Sequence, residues 1–238
     1  MSTEVAVDVN VPDPTTMPQR VLGKTGELVP ILGLGTACGG MGLDDRSAIE
    51  LFELAVDLGV TYLDTAPAYD RAQKQLSELL RRRRDELFVV TKVNCDGAAE
   101  AISILQKNLV DLGTDHVDLT FVHSIGGRDV ERVLAIAQNS GVAAMKVYGG
   151  ATNMKYDTPV VPHLRNHGDH DHQLALRYAL DLAGVATAVV GVFNERELRQ
   201  NIKWARSAAP LSGEERGRLA ALGQRLSADW GPHFGAAE

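Results

Sequence analysis

The sequence predicts an α/β fold built on a parallel sheet. Short apolar runs alternate with amphipathic stretches along most of the chain, which is the pattern of right-handed βαβ units. Polar residues that can bind or transfer protons directly follow several of these apolar runs. The runs predicted to be core strands lie at residues 31–36, 61–66, 87–93, 117–123, 142–148 and 186–190.

A TIM-type βα-barrel accounts for these observations better than an open, doubly wound sheet. Barrel enzymes place their chemistry at the C-terminal ends of several strands. A doubly wound sheet carries a glycine fingerprint in its first strand-to-helix turn, but Cys38 stands where the glycine after Gly33 and Gly35 belongs. Because a complete barrel uses about 250 residues, residues 31–207 hold only about six βα units. We therefore predict an incomplete or distorted barrel.

The N-terminal part is predicted to precede the barrel. Residues 1–19 show no periodicity and are expected to form a flexible leader, so that residues 20–238 make up a single domain. Two short apolar runs flank a turn at residues 24–26, which predicts an N-terminal β-hairpin. The glycines within residues 39–42 predict a loose loop after the first core strand.

Helical periodicity follows this loop. The first helix is predicted to begin at Asp44 or Asp45, as an N-cap, and to end at Gly59. The arginines at 81–84 lie in the last turn of the next predicted helix. They could form a phosphate-binding patch, but we prefer the interpretation that the helix dipole favours cations at this end. Further helices are predicted at 98–112, with Ile102, Leu105, Leu109 and Leu112 facing inward, and at 128–138, 173–182, 194–206 and 212–228.

Composition argues against several classes of protein. The formal net charge of −7 disfavours binding to nucleic acid or to a membrane surface. No apolar run is long enough to span a bilayer, and the N-terminus lacks the pattern of a secretory signal. Cys38 and Cys95 are the two cysteines, which is too few for a disulfide framework, so we expect a cytoplasmic protein.

Four polar side chains at the ends of three successive strands form the candidate site. Asp64 and Tyr69 follow the second core strand, Lys92 ends the third and His123 ends the fourth. A phenol has an ordinary pKa near 10 and donates its proton poorly at neutral pH, but a nearby ammonium stabilises the phenolate. The alternative interpretation is a buried Asp–Lys pair with an incidental tyrosine and histidine.

Motifs that follow one another along residues 20–206 resemble those of the aldo-keto reductase family. They read RVLGKTG at 20–26, LGLGT at 32–36, YLDTA at 62–66, TK at 91–92, LGTDHVDL at 112–119, VH at 122–123, LALRYA at 174–179 and VGVFN at 190–194. The resemblance implies a barrel that binds NADPH and reduces a small-molecule aldehyde or ketone. It also implies that Tyr69 is the general acid, that Lys92 lowers the pKa of its phenol, that Asp64 pairs with Lys92, and that His123 orients the substrate carbonyl.

The same resemblance implies a set of residues that contact NADP or NAD. Met145 stands where the family usually has an aromatic ring stacked on the nicotinamide. Arg196 is the single cation offered to an adenosine 2′-phosphate, so we expect weak discrimination between NADPH and NADH. The implied cofactor-binding residues are Gly35, Thr36, Met145, Lys146, Val147, Tyr148, Gly191, Phe193, Asn194, Arg196, Gln200 and Asn201.

The chain departs from the family after His123. That residue resembles the end of the family's fourth strand, whereas residues 141–150 resemble its seventh. The fifth and sixth strands are therefore predicted to be absent, with a junction near residues 131–134. The strands on either side of the junction would be sheet edges, and we expect a homo-oligomer to cover them. The departure also leaves open a catalytically impaired nucleotide-binding or interaction protein.

A histidine-rich stretch lies between the last two core strands. Imidazoles and carboxylates at short spacing suit a transition metal. The alternative is a solvated polar loop, which we prefer because composition alone is weak evidence for a metal site. No metal is therefore predicted for His163, His167, His170 and His172 with Asp169 and Asp171.

Overall fold

The computed structural model describes residues 16–95, 97–123, 142–148, 164 and 167–230. It begins with the predicted hairpin, in which β1 (Gln19–Val21) pairs antiparallel with β2 (Leu28–Pro30). Most of the predicted leader, the predicted junction at 131–134 and the predicted helix at 128–138 lie outside the described residues.

Six parallel strands form the main sheet, which curls into an incomplete barrel. Their order across the sheet is β6-β5-β4-β3-β8-β7. The fold prediction is confirmed, because every predicted core strand is present and all ladders are parallel. The strands are β3 (Leu32–Gly35), β4 (Tyr62–Asp64), β5 (Phe88–Val93), β6 (Leu119–Val122), β7 (Val142–Met145) and β8 (Val185–Gly191).

The two ends of the sheet remain apart within the described part of the chain. There β6 pairs with β5 alone and β7 pairs with β8 alone. The side chains of β5 and β8 are buried along nearly the whole strand, whereas those of β6 and β7 are half-buried or exposed. The prediction of an unclosed ring with these two strands as edges is confirmed.

Helices cover the outer face of the sheet. The cap of α2 matches the prediction, because Asp44 Oδ1 accepts a hydrogen bond from Ser47 N at 2.9 Å. Among the described residues, no helix has the length and apolar character needed to cross a membrane. The helices are α1 (Ala37–Gly42), α2 (Asp45–Asp57), α3 (Ala72–Arg83), α4 (Ala98–Leu112), α5 (Asp169–Asp181), α6 (Glu195–Arg206) and α7 (Gly213–Trp230).

Apolar packing on both faces of the sheet holds these elements together. The larger cluster lies between the sheet and the helices. A smaller cluster fills the barrel interior, where Leu22 and Val29 of the hairpin segment pack against Tyr62 and Val90. The hairpin therefore closes the barrel at the end away from the C-terminal ends of the strands.

The predicted loop at residues 39–42 is instead part of helix α1, and this prediction was wrong. The glycines allow neighbouring atoms to approach the helix closely, and they do not make this segment a loop. A Cβ added to Gly40 would collide with the carbonyl oxygen of Tyr69, and one on Gly42 would lie 2.6 Å from the Phe193 ring. Helix α1 can therefore lie directly against the segment that carries Tyr69.

The predicted inner face of α4 was wrong at Ile102, which is 59% exposed. Leu112 is fully buried as predicted, Leu105 and Leu109 are half-buried, and the helix also turns Asn108 inward, where it is fully buried. Asn108 is tolerated there because its Nδ2 donates to Thr91 Oγ1 at 3.2 Å and to the Lys92 carbonyl oxygen at 3.0 Å.

The arginines at 81–84 all form ion pairs. Their carboxylate partners come from the same helix or from neighbouring elements, as for Arg84 Nη2 and Asp118 Oδ2 at 2.8 Å. This arrangement agrees with the interpretation as structural cations rather than a phosphate patch. The other pairs are Arg81 with Glu78, Arg82 with Glu53, and Arg83 with Asp57 and Glu86.

Candidate active site

A buried ion pair forms the base of the candidate site. Lys92 Nζ lies 2.5 Å from Asp64 Oδ1 and donates to the Thr65 carbonyl oxygen at 3.0 Å. Because side chains alternate along a strand, Lys92 shares the face of Val90, which belongs to the interior cluster. The ammonium therefore points into the barrel near the C-terminal end of β5.

Burial opposes ionisation of both partners. It raises the pKa of Asp64 and lowers that of Lys92, because desolvation disfavours each charged form. The mutual attraction acts in the opposite direction on each group. Each charge therefore stabilises the other in the protein interior.

Tyr69 lies directly above this pair. Lys92 Nζ is 5.0 Å from the centroid of the phenol ring. The backbone of Tyr69 is fixed, because its N donates to the Ala66 carbonyl oxygen and its carbonyl oxygen accepts from Ala72 N, each at 3.0 Å. Asp70 adopts a φ of 49°, which turns the chain sharply into helix α3.

His123 completes the group from the end of β6. Its backbone N donates to the Val93 carbonyl oxygen at 2.7 Å, and its ring meets Tyr69 edge-on with the centroids 5.8 Å apart. Burial lowers the pKa of His123, and the charges of Lys92 and Lys146 lower it further. The imidazole is therefore favoured in its neutral form. The structure thus brings together all four predicted catalytic residues.

Sequence reasoning missed three side chains that support this group. Thr91 Oγ1 accepts from Gln73 Nε2 at 3.0 Å and from Asn108, which also holds the Lys92 carbonyl oxygen. Thr36, which was predicted to bind cofactor, is fully buried and donates its hydroxyl to the Asp64 carbonyl oxygen at 3.0 Å. Gln73 and Asn108 could have been found from the sequence, because each is a polar residue at an inward position of an amphipathic helix.

The predicted cofactor residues on β3 and β8 lie side by side. Gly35 pairs with Gly191 in the parallel ladder, at the same end of the sheet as Asp64. Gly191 is exposed, and a Cβ there would lie 2.7 Å from Cys38 Sγ. This part of the site therefore offers bare backbone to a ligand.

The predicted residues after β7 divide into two groups. Met145 is 43% exposed, and Lys146 is exposed with a φ of 56°. Val147 and Tyr148 pack against the core instead. The Tyr148 hydroxyl donates to Asn201 Oδ1 at 2.6 Å, and burial raises its pKa.

The predicted residues around the start of α6 are partly engaged within the protein. Asn194 Oδ1 accepts from Glu197 N at 2.9 Å as the N-cap. Arg196 Nη2 donates to Asp169 Oδ2 at 2.9 Å. Phe193 and Gln200 are half-buried.

The described part of the histidine-rich stretch makes several hydrogen bonds. His167 Nδ1 lies 3.1 Å from Asp171 Oδ2, and Arg218 Nη2 donates to Asp171 Oδ1 at 2.6 Å. His172 Nε2 donates to the Leu164 carbonyl oxygen at 2.6 Å. No cluster of three metal-ligating side chains occurs among the described residues, and His163 lies outside them.

A nicotinamide dinucleotide fits the donor set at this end of the sheet. The exposed backbone of Gly191 permits close approach, and Lys146 offers a cation to a diphosphate. Met145 is 43% exposed at the end of β7, and an apolar ring can pack against its thioether.

Comparison with known proteins agrees with this architecture. The profile of the aldo/keto reductase family matches residues 31–138. The crystal structure of an aldo-keto reductase from Pseudomonas aeruginosa is 30% identical, with a TM-score of 0.59, over 80% of this chain and 95% of that chain. This chain belongs to the aldo-keto reductase family.

Other relatives share the fold or part of the sequence with this chain. The aldo-keto reductase AKR11C1 of Bacillus halodurans shares the fold, with 21% identity and a TM-score of 0.63 over 87% of this chain. The aldo-keto reductase YhdN of Bacillus subtilis is 32% identical over 43% of this chain and 36% of its own length. The oxidoreductase YqkF of the same organism is 30% identical over 45% of this chain and 39% of its own. The chain thus spans less than half the length of the curated aldo-keto reductases it matches.

Proposed function

We propose that this aldo-keto reductase reduces an aldehyde or ketone to the alcohol with NADH or NADPH, and that Tyr69 is the general acid. The observation that carries the proposal is the position of the phenol ring 5.0 Å from a buried ammonium that is itself paired with Asp64. A phenol beside a fixed positive charge is suited to releasing its proton and remaining as phenolate.

The proton transfer follows from this geometry. The hydroxyl of Tyr69 gives its proton to the carbonyl oxygen while a hydride adds to the carbonyl carbon, and the alcohol forms. A reduced nicotinamide, when bound, supplies that hydride. Lys92 stabilises the phenolate that remains, and Asp64 keeps Lys92 charged against the cost of burial.

His123 is proposed to orient the substrate. A neutral imidazole can donate one N–H to the carbonyl oxygen without adding a second fixed charge beside Lys92. The lowered pKa of His123 supports this form. Gly191, Met145 and Lys146 are the residues that would hold the cofactor. The cytoplasm is the proposed compartment, because two cysteines in the sequence are too few for a disulfide framework.

One observation favours a second candidate function. The residue at the proposed nicotinamide position is Met145 rather than an aromatic side chain, and it is 43% exposed. A weakly stacked nicotinamide would permit nucleotide binding without turnover. Hydride transfer separates the two functions, because only the enzyme oxidises the reduced cofactor with an aldehyde.

Replacement of Tyr69 by Phe tests the proposal. We expect Tyr69→Phe to lower the rate of NADH or NADPH oxidation with a reactive aldehyde by about 10²–10⁴, the usual contribution of a general acid. Nucleotide affinity, measured by calorimetry, should remain nearly unchanged. Tyr178→Phe, at an exposed position on α5, is the matched control. Full turnover in Tyr69→Phe would overturn the role of Tyr69. Binding without turnover in the unaltered protein would support the nucleotide-binding alternative.

A further inference from the structure

Lys146 directly follows β7 at the C-terminal end of the sheet, where the proposed catalytic residues lie. Met145, the last residue of β7, pairs with Val189, which is two residues before Gly191. Gly191 and Asp64 lie at one level of the sheet, because both pair with the same residue of β3 from its two sides. The backbone of Lys146 is therefore close to the level of the buried ion pair.

The backbone changes direction at Lys146 and interrupts the alternation of side chains along β7. Ala143 packs against the interior cluster, and Ala144 packs against the cluster under the helices. Continued alternation would direct Lys146 outward, but its φ of 56° ends the extended backbone there. Asp70, directly after Tyr69, is the other non-glycine residue with a positive φ in the described part of the chain. Such unfavourable backbone is concentrated at functional sites.

The charge of Lys146 acts on the interior of the candidate site. Burial lowers the pKa of His123 and of Lys92, and the nearby charge of Lys146 lowers the pKa of each further. The ammonium of Lys146 is itself exposed. It therefore lies at the solvent side of the site, close to the imidazole that is proposed to orient the substrate carbonyl.

The positive charge of Lys146 is not balanced within the described part of the chain, where it forms no ion pair. The other charged groups of the site are paired there, Lys92 with Asp64, and Asp70 Oδ2 with Arg71 Nε at 3.6 Å. The protein as a whole has a formal net charge of −7. An unbalanced cation at the site of an otherwise acidic protein favours an anionic ligand over a neutral one.

We propose that Lys146 makes this site select aldehydes or ketones that carry a carboxylate or a phosphate. This inference rests on the proposed function, because it places the substrate carbonyl between Tyr69 and His123. The anionic group of the substrate would contact Lys146 while the carbonyl oxygen contacts the phenol. Such a contact, away from the reacting carbon, stabilises the bound substrate and the transition state alike, so it lowers KM and leaves kcat nearly unchanged.

Reduction of 4-oxobutanoate and of its methyl ester at saturating cofactor tests the inference, because the two aldehydes differ mainly in charge. We expect kcat/KM to be at least about threefold higher for the carboxylate, as for an ion pair that is exposed to solvent. Added salt should reduce this preference. Glyceraldehyde 3-phosphate and glyceraldehyde measure the same preference for a phosphate, and the larger of the two ratios identifies the anionic group.

Variants of Lys146 show whether this residue produces the preference. Lys146→Met removes the charge, so the ratio of charged to neutral kcat/KM should fall to about one, mainly through a higher KM for the charged aldehyde. Lys146→Arg keeps the charge and should retain the ratio. Lys74→Met, at an exposed position on α3, is the matched control and should also retain it. A contact between Lys146 and the cofactor affects both aldehydes equally and cancels in the ratio.

Several results would overturn the inference. Equal kcat/KM values within both pairs of aldehydes in the unaltered protein would do so and would leave the proposed function intact. An unchanged ratio in Lys146→Met would show that another group recognises the anion. An equal fall of the ratio in Lys74→Met would reduce the effect to general charge. Failure of all four aldehydes to be reduced would remove the proposed function and this inference with it.

Discussion

At the scale of single residues, the site depends on a buried ion pair. Neither side chain would remain charged in the interior without the other. Lys92 and Asp64 are almost completely buried, with side-chain exposures of 1% and 3%. Removing one member of a buried pair leaves an uncompensated charge, which is much more costly than losing the contact itself. The pair therefore contributes to stability as well as to the chemistry proposed for Tyr69.

Lys92→Met tests this dependence. We expect it to lower the free energy of unfolding by about 3–5 kcal/mol at neutral pH. The loss should shrink on acidification toward about pH 4, because the isolated Asp64 carboxyl has a raised pKa in the folded state and becomes neutral. Urea denaturation at several pH values measures both effects. Lys74→Met, at an exposed position on α3, is the control and should change stability by less than about 0.5 kcal/mol. A pH-independent loss would contradict the explanation.

At the scale of elements, the contact between α1 and the Tyr69 segment positions the phenol. It exists because Gly40 has no side chain where it meets the Tyr69 carbonyl oxygen. That carbonyl oxygen also accepts the hydrogen bond from Ala72 N at the start of α3. Any side chain at position 40 must therefore displace the backbone of Tyr69 or the beginning of α3.

Gly40→Ala should consequently lower carbonyl reduction by at least about tenfold, since small displacements of a reacting group are costly, and should also reduce stability. Gly217→Ala is a matched control within α7, where an added Cβ meets nothing within 4 Å. The control should raise stability by about 0.5–1 kcal/mol, because alanine favours a helix over glycine. Turnover assays and thermal unfolding measure the two effects. Unchanged turnover in Gly40→Ala would show that the α1 contact does not position Tyr69.

At the scale of the whole molecule, the sheet formed by the described residues presents two edges. Val122 at the end of β6 is 51% exposed, and Met145 at the end of β7 is 43% exposed. Exposed edge strands pair readily with other chains. We therefore propose that a second copy of this chain covers an edge, so that the protein is a homo-oligomer.

Light scattering in dilute solution tests the proposal, with a mass above 25.6 kDa expected. Val122→Lys places a charge on the β6 edge and should shift the protein toward the monomer. Val110→Lys, on α4 and 79% exposed, is the control and should leave the mass unchanged. A monomer in the unaltered protein would show that no second copy covers these edges.

The parallel sheet, the incomplete barrel and the grouping of the four site residues could be predicted from the sequence. The sheet and the site follow from hydrophobic periodicity and from polar residues at strand ends, and the incomplete barrel follows because residues 31–207 hold only about six βα units. Asp64, Lys92 and His123 were predictable as neighbours because parallel strands bring their C-terminal ends to one edge.

Which surfaces contact each other could not be predicted in the same way, because it depends on how the elements pack. The tertiary structure turned Asn108 rather than Ile102 toward β5, because the Asn108 amide is satisfied by groups of Thr91 and Lys92 that are distant in sequence. It made helix α1 from a glycine-rich stretch, because Tyr69 needs the space beside Gly40. Contacts between distant segments depend on three-dimensional packing, and a pattern along one segment does not specify its partner.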